Sequence, residues 1–148
     1  IINLGGNVRV LSKKNDNSKY NIAIESPEKY GYIAYISAED TNIVTSGAYE
    51  RNLVDESGNV YHHIIDPFTA APAQSDIKSV TIICNDGTLA DCLSTALYVM
   101  GSQKAIEFSK FHDNFGAIIL MNDDTVFVSE SIKNIVTLED KYILYRER

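Results

Sequence analysis

The stretch Lys78-Ser79-Val80-Thr81-Ile82-Ile83-Cys84 is the most β-branched run of the chain, and the apolar period changes immediately after it. Side chains branched at Cβ suit a pleated surface better than a helix, so the run predicts a central strand. Over 88–100, Leu89, Leu93, Ala96, Leu97 and Met100 fall on one helical face, and Gly101 ends the stripe. Ser102 is placed to cap a second, shorter helix through residue 110. Two main helices thus follow residue 86, with strand signals on both sides. The expected class is α+β with a mostly antiparallel sheet.

Upstream, residues 2–11 read as a strand interrupted by Gly5-Gly6, and 13–19 as a polar turn. Residues 20–26 alternate, with Tyr20, Ile22 and Ile24 on one face, as a half-buried strand does. Residues 32–36 and 42–44 make further short strands. Residues 51–54 and 60–65 flank Asp55-Glu56-Ser57-Gly58-Asn59, a hairpin signal with glycine near the tip. After the helices, 117–121 and 125–128 form another hairpin, 130–135 a helical turn, and 141–148 is weakly specified. Repeats, low-complexity stretches and internal linkers are absent from the sequence.

At 148 residues and 45% hydrophobic, the chain can build one core and is not of disordered composition. A net charge of −7 without a Lys/Arg cluster argues against nucleic acid or an anionic membrane as partner. No run approaches the ~18 apolar residues of a membrane-spanning helix. The apolar run starting at Ile1 and stopping at a double glycine looks like a strand cut in mid-element, so the chain is expected to be a fragment of something longer. Cys84 and Cys92 lack a C-x-x-C spacing and read as two small buried hydrophobes.

Three polar clusters lie between the apolar elements. In Leu4-Gly5-Gly6-Asn7, paired glycines within a strand suggest either a bulge or a close approach to the backbone. Thr45-Ser46-Gly47 offers hydroxyls and backbone N–H groups of the kind that cradle phosphate, or is an ordinary turn. His63, three residues before Asp66-Pro67, has the chemistry of a general base, or is an exposed strand residue. His62 and His63 point to opposite faces of a strand and cannot enter one site together. Thr88 and Asp91 fit a T-x-x-D capping pattern. Asp91 and Thr95, four apart, also stack a carboxylate over a hydroxyl, a hard-oxygen pair suited to Mg²⁺.

The order Leu4-Gly5-Gly6-Asn7, Thr45-Ser46-Gly47-x-Tyr49-Glu50, His63-x-x-Asp66-Pro67-x-Thr69, Leu89-Ala90-Asp91-x-Leu93-Ser94-Thr95-Ala96-Leu97 closely resembles the carboxyl-terminal half of the FAD:protein FMN transferases. These are the ApbE-type flavin transferases, long labelled thiamine biosynthesis lipoproteins. The resemblance runs from residue 1 to about residue 129. It implies an ApbE-like (T-fold-like) half domain spanning 1–148, with the amino-terminal half absent. It also implies a reaction: FAD and a divalent metal, usually Mg²⁺, with FMN moved onto a threonine of an acceptor flavoprotein and AMP leaving. Some members instead hydrolyse FAD to FMN and AMP. Asp91 and Thr95 match the family's metal-binding side chains, and His63 the histidine implicated in transfer. Gly5, Gly6, Asn7, Thr45, Ser46, Gly47, Asp66, Pro67 and Thr69 match positions that line or shape the FAD site.

Family members are mostly extracytoplasmic and often lipid-anchored, which is the localisation the resemblance implies. Two positions depart from the pattern. Ala70 stands where a glycine usually follows the threonine of the His-x-x-Asp-Pro-x-Thr motif, and Ala48 where Asp or Asn is common. A position needing positive φ penalises Ala, so Ala70 favours a non-catalytic flavin-binding homologue as the alternative. The family's Gly-x-x-Ala-Lys-Gly segment, which supplies a further metal ligand, does not occur in this sequence.

Overall fold

A computed structural model describes residues 1–28, 30–49 and 52–146. The chain opens with β1 (Ile2–Asn3) and β2 (Asn7–Val10), followed by β3 (Tyr20–Glu25), β4 (Tyr32–Ala38) and β5 (Thr41–Gly47). Four short strands come next: β6 (Asn52–Val54), β7 (Val60–His62), β8 (Ile65–Asp66) and β9 (Ala71–Pro72). β10 (Ile77–Cys84) leads into α1 (Gly87–Met100) and α2 (Ser102–Phe111). β11 (Gly116–Met121), β12 (Thr125–Val128), a 3-10 turn (Glu130–Ile135), β13 (Val136–Leu138) and β14 (Ile143–Leu144) close it. The class is α+β, as the sequence predicts.

β10 is the centre of a seven-stranded sheet ordered β1-β2-β5-β10-β11-β12-β14. It pairs antiparallel with β5 on one edge and β11 on the other, and every residue but Lys78 is buried. The sheet is antiparallel except where β14 joins β12 in parallel. One face carries α1 and α2 over Val44, Val80, Ile82, Ala117 and Ile119. The opposite face carries a three-stranded sheet, β13-β4-β3, over Val10, Ile43, Ile83, Ile118 and Leu120. Each fully buried Ile of this double core contributes about 1.5–3 kcal/mol.

The corner between β10 and α1 is tightly held. Asn42 donates its amide to the Cys84 and Asn85 carbonyls at 3.1 and 2.9 Å. A Cβ at Gly87 would meet Asn42 Oδ1 at 3.0 Å, so glycine opens the helix there. The Asp86 carboxylate accepts the Thr88 and Leu89 amides at 2.9 and 3.1 Å, which satisfies two of the orphan donors of the first turn.

Several sequence expectations change. The α1 cap is Asp86, so the Thr88–Asp91 capping pattern is not used: the helix has already begun at Gly87. The buried stripe of α1 is Ala90, Ser94, Leu97 and Tyr98, while Ala96 and Met100 are exposed, because small residues let the helix sit close to the sheet. Ser102 is the first residue of α2 rather than its cap; Asp76, from the segment before β10, accepts both its amide (2.8 Å) and its hydroxyl. Burial pushes the Asp76 carboxyl up, but these bonds hold it below its ordinary value. The support it lends α2 is therefore present above the ordinary carboxylate range and lost as pH falls through the lowered value.

Gly5 and Gly6 do not interrupt one strand but turn between two, at φ +70° and +94°. Cys84 is buried as expected, whereas Cys92 is exposed; neither is disulfide-bonded. Residue 51 of the expected 51–54 strand lies outside the described residues, as do Glu50 and the last two residues of the tail. The remaining tail adds β14 to the large sheet, while β13, also unpredicted, joins the small sheet.

The cap assignment is testable by denaturant unfolding. Asp86→Ala should lower stability by about 1 kcal/mol, as loss of a helix cap does. Thr88→Ala should change it by less than about 0.5 kcal/mol.

Candidate functional site

Thr45 and Ser46 end the inner part of β5, and strand alternation sends them to opposite faces of the sheet. Ile43 faces the small sheet and Val44 the helices, so Thr45 lies on the small-sheet side and Ser46 beneath α1. The predicted site residues therefore divide between the two faces.

On the small-sheet side, Gly5, Gly6 and Thr45 line a cavity of about 340 Å³ with Asn3, Val8, Ile22, Ile24, Glu25, Ile43 and Tyr49. The Thr45 amide donates to the Gly6 carbonyl at 3.1 Å, which ties the glycine turn to β5. The Thr45 hydroxyl pairs with that of Thr81, directly opposite on β10, at 2.8 Å. An apolar floor with an amide, a carboxylate and a phenol around it suits a flat heteroaromatic ring. Asn3 and Glu25 were not singled out from the sequence, since they come from separate elements, and Tyr49 entered only as part of the Thr45-Ser46-Gly47-x-Tyr49 motif.

On the helix side, α1 lies over β5 and presents Asp91 and Thr95 one turn apart, both exposed. The Ser46 hydroxyl reaches Ser94 Oγ at 2.8 Å and Thr95 Oγ1 at 3.2 Å. Ser94 is fully buried and donates to the Asp91 main-chain carbonyl at 2.9 Å. With the cap assigned to Asp86, the Asp91 carboxylate has no structural task, and among the described residues it enters no hydrogen bond or ion pair. Asn7, opposite Val44 in register, falls on this face as well. Ser94 was missed as a site residue; its signal was a hydroxyl within the buried Ala90–Leu97 stripe. Gly47 is buried against the Tyr49 ring: a Cβ there would lie 2.4 Å from Tyr49 Cε1 and 3.0 Å from the Lys78 carbonyl. Its need for glycine is packing.

The segment carrying His63, Asp66, Pro67 and Thr69 also adjoins the helix side, through Ile64 and Ala73 in the core with Leu97 and Tyr98. His62 is a structural residue. Its Nδ1 accepts the Ile64 amide (3.3 Å), its Nε2–H donates to the Ala73 carbonyl (3.0 Å), and its ring meets Tyr98 edge-on. His63 follows the end of β7 and is exposed. Asp66 builds the turn after it: its carboxylate accepts the Phe68 amide at 2.8 Å and its carbonyl accepts the Ala70 amide at 2.9 Å. β8 and β9 clamp this turn, leaving Pro67 and Thr69 exposed. Ala70 sits at φ +53°, in the left-handed region that favours glycine.

Among the described residues no group of three or more His, Cys, Asp or Glu side chains is arranged to hold a metal. Asp91 and Thr95 alone offer a carboxylate and a hydroxyl, a donor set that fits a hard cation completing its shell with phosphate and water. No helix of the described residues is long and apolar enough to cross a membrane.

The ApbE family model matches residues 1–119. This chain belongs to the ApbE family. It is 34% identical to the FAD:protein FMN transferase of Treponema pallidum (strain Nichols), covering 99% of this chain and 43% of that protein. It is 32% identical to the FAD:protein FMN transferase of Haemophilus influenzae, over 88% of this chain and 38% of the relative. Among solved structures, the ApbE protein of Thermotoga maritima superposes with a TM-score of 0.78 at 36% identity, over 88% of this chain and 42% of that one. The flavin transferase ApbE of Vibrio cholerae does so with a TM-score of 0.73 at 29% identity, over 89% and 42%. The chain thus spans about two-fifths of the length of these ApbE relatives.

Two substitutions test the local geometry of this ApbE-family chain. Ala70→Gly should raise stability by about 0.5–1 kcal/mol, since relief of the left-handed penalty exceeds the added chain entropy. His62→Ala should lower it by about 1–3 kcal/mol by leaving an amide and a carbonyl unpaired. Thermal or urea unfolding reads both.

Proposed function

We propose that the protein containing this chain is an Mg²⁺-dependent FAD:protein FMN transferase, and that this chain is its carboxyl-terminal part. The observation that carries the reading is the Asp91–Thr95 pair. Its carboxylate is exposed, unpaired among the described residues and relieved of any capping role, one turn from an exposed hydroxyl. The names borne by the Treponema pallidum and Haemophilus influenzae relatives support the transfer of FMN from FAD.

In this reading Asp91 and Thr95 would hold the cation, and a cation bound there would supply Lewis-acid charge neutralisation for the pyrophosphate of FAD. His63 takes the proton from the acceptor threonine as its oxygen forms the new bond to the FMN phosphorus and the bond to the AMP oxygen breaks. The turn of Asp66, Pro67 and Thr69 fixes the ground beside His63 through the Phe68 and Ala70 amides. Gly5, Gly6, Asn7, Thr45, Ser46 and Gly47 shape the FAD site, the cavity at Gly5, Gly6 and Thr45 taking a ring of the dinucleotide. The acceptor is a flavoprotein, and the enzyme works outside the cytoplasm on a lipid anchor, a placement supported by family resemblance alone.

Incubating the full-length protein with FAD, Mg²⁺ and a threonine-bearing acceptor should increase the acceptor mass by one FMN. His63→Ala should slow transfer by about 100-fold or more, as loss of a general base does. Release of free FMN and AMP with no adduct would make the protein an FAD pyrophosphatase instead. Transfer at the wild-type rate by His63→Ala would remove His63 from the chemistry.

A further inference from the structure

Ser46, Ser94 and Thr95 form a chain of hydroxyls whose direction follows from counting protons. A hydroxyl has one proton to donate and two lone pairs with which to accept. Ser94 Oγ lies 2.9 Å from the Asp91 main-chain carbonyl, which can only accept, so the Ser94 proton is committed there. The 2.8 Å contact between Ser94 and Ser46 must then be donated by Ser46. With that proton used, the 3.2 Å contact between Ser46 and Thr95 is donated by Thr95. Thr95 Oγ1 is left with lone pairs alone to turn outward.

We infer that Ser46 and Ser94 are positioning residues that fix the Thr95 hydroxyl as an electron-pair donor to a divalent cation. The inference rests on the reading of Asp91 and Thr95 as a cation site and goes beyond it. A Thr95 so oriented can ligate a cation and cannot donate to a phosphate oxygen. The chain starts and ends on one turn of α1, at the Thr95 hydroxyl and the Asp91 carbonyl, and passes through β5 in between. It therefore also sets the rotation of α1 about its axis, and with it the direction of the Asp91 carboxylate. Its inner end, Ser94, is sealed from water, so solvent does not compete for the proton that orders the rest. Partners behind a metal ligand commonly change metal affinity by about 10–100-fold when removed.

The test is Mn²⁺ binding to the full-length protein, read by the loss of the free-ion EPR signal, with unfolding midpoints recorded for each variant. Asp91→Asn and Thr95→Val should weaken Mn²⁺ by more than about 100-fold, while Thr95→Ser, which keeps the hydroxyl, should stay within about 3-fold of wild type. Ser46→Ala and Ser94→Ala should each weaken it by about 10-fold. Ser94→Ala, a substitution favourable to a helix, carries the test if the strand variant does not fold. In turnover, Ser94→Ala should raise the metal concentration needed for half-maximal rate while leaving kcat at saturating Mn²⁺ near wild type. FAD affinity measured in EDTA should be unchanged by Ser94→Ala, since Ser94 is buried beneath the site. Wild-type Mn²⁺ affinity in the folded serine variants, alongside loss in Asp91→Asn, would overturn the hydroxyl chain and leave the cation site standing. Wild-type affinity in Asp91→Asn and Thr95→Val would overturn the cation site itself. Weaker FAD binding by Ser94→Ala in EDTA would tie this hydroxyl chain to phosphate and overturn the inference.

Discussion

Hydrogen bonding on both edges of β10 and burial on both of its faces form the constraint on which the rest of this structure depends. Such a strand has no surface left for water, so each neighbour must supply a complementary apolar layer. The helices do so on one side and the small sheet on the other. The carboxyl end of β10 then dictates where α1 begins, because Asn42 seals the Cys84 and Asn85 carbonyls and Asp86 caps the helix within two residues of the strand. Everything α1 presents to solvent inherits its position from that corner.

The same sheet keeps two kinds of chemistry apart. Thr45 and Ser46 are neighbours in the chain, yet one faces a partly apolar cavity and the other a set of hydroxyls under α1. Hydroxyls on the helix side are satisfied by one another and by a main-chain carbonyl, so the polar layer carries no uncompensated desolvation. The Asp91 carboxylate, unlike its main-chain carbonyl, stands outside this internal pairing. A carboxylate that secures nothing among the described residues is available to act on something else, which is why the elimination of its capping role weighs more than its spacing from Thr95.

The neighbouring histidines divide in a comparable way. His62 is consumed by the Ile64 amide, the Ala73 carbonyl and the Tyr98 ring, all structural partners. His63, one residue later, is carried past the end of β7 to the surface beside the clamped Asp66 turn. Ala70 retains the left-handed backbone despite its Cβ, because Asp66 and the β8–β9 pairing over-determine the turn.

Local pattern in the sequence determined the α+β class, the central strand, both helices and most hairpins, since β-branching, helical spacing and turn residues act over a few neighbours. The order of short motifs likewise carries the resemblance to the ApbE family. Tertiary structure decided what depends on distant partners: that Gly5 and Gly6 turn a hairpin, that Asp76 serves α2 from outside it, and that β13 and β14 form at all. It alone decided which α1 residues are buried, because that stripe is set by how closely the helix approaches β5 and β10. The hydroxyl chain from Thr95 through Ser46 to Ser94 was invisible for the same reason: residues nearly fifty apart had to meet before their protons could be counted.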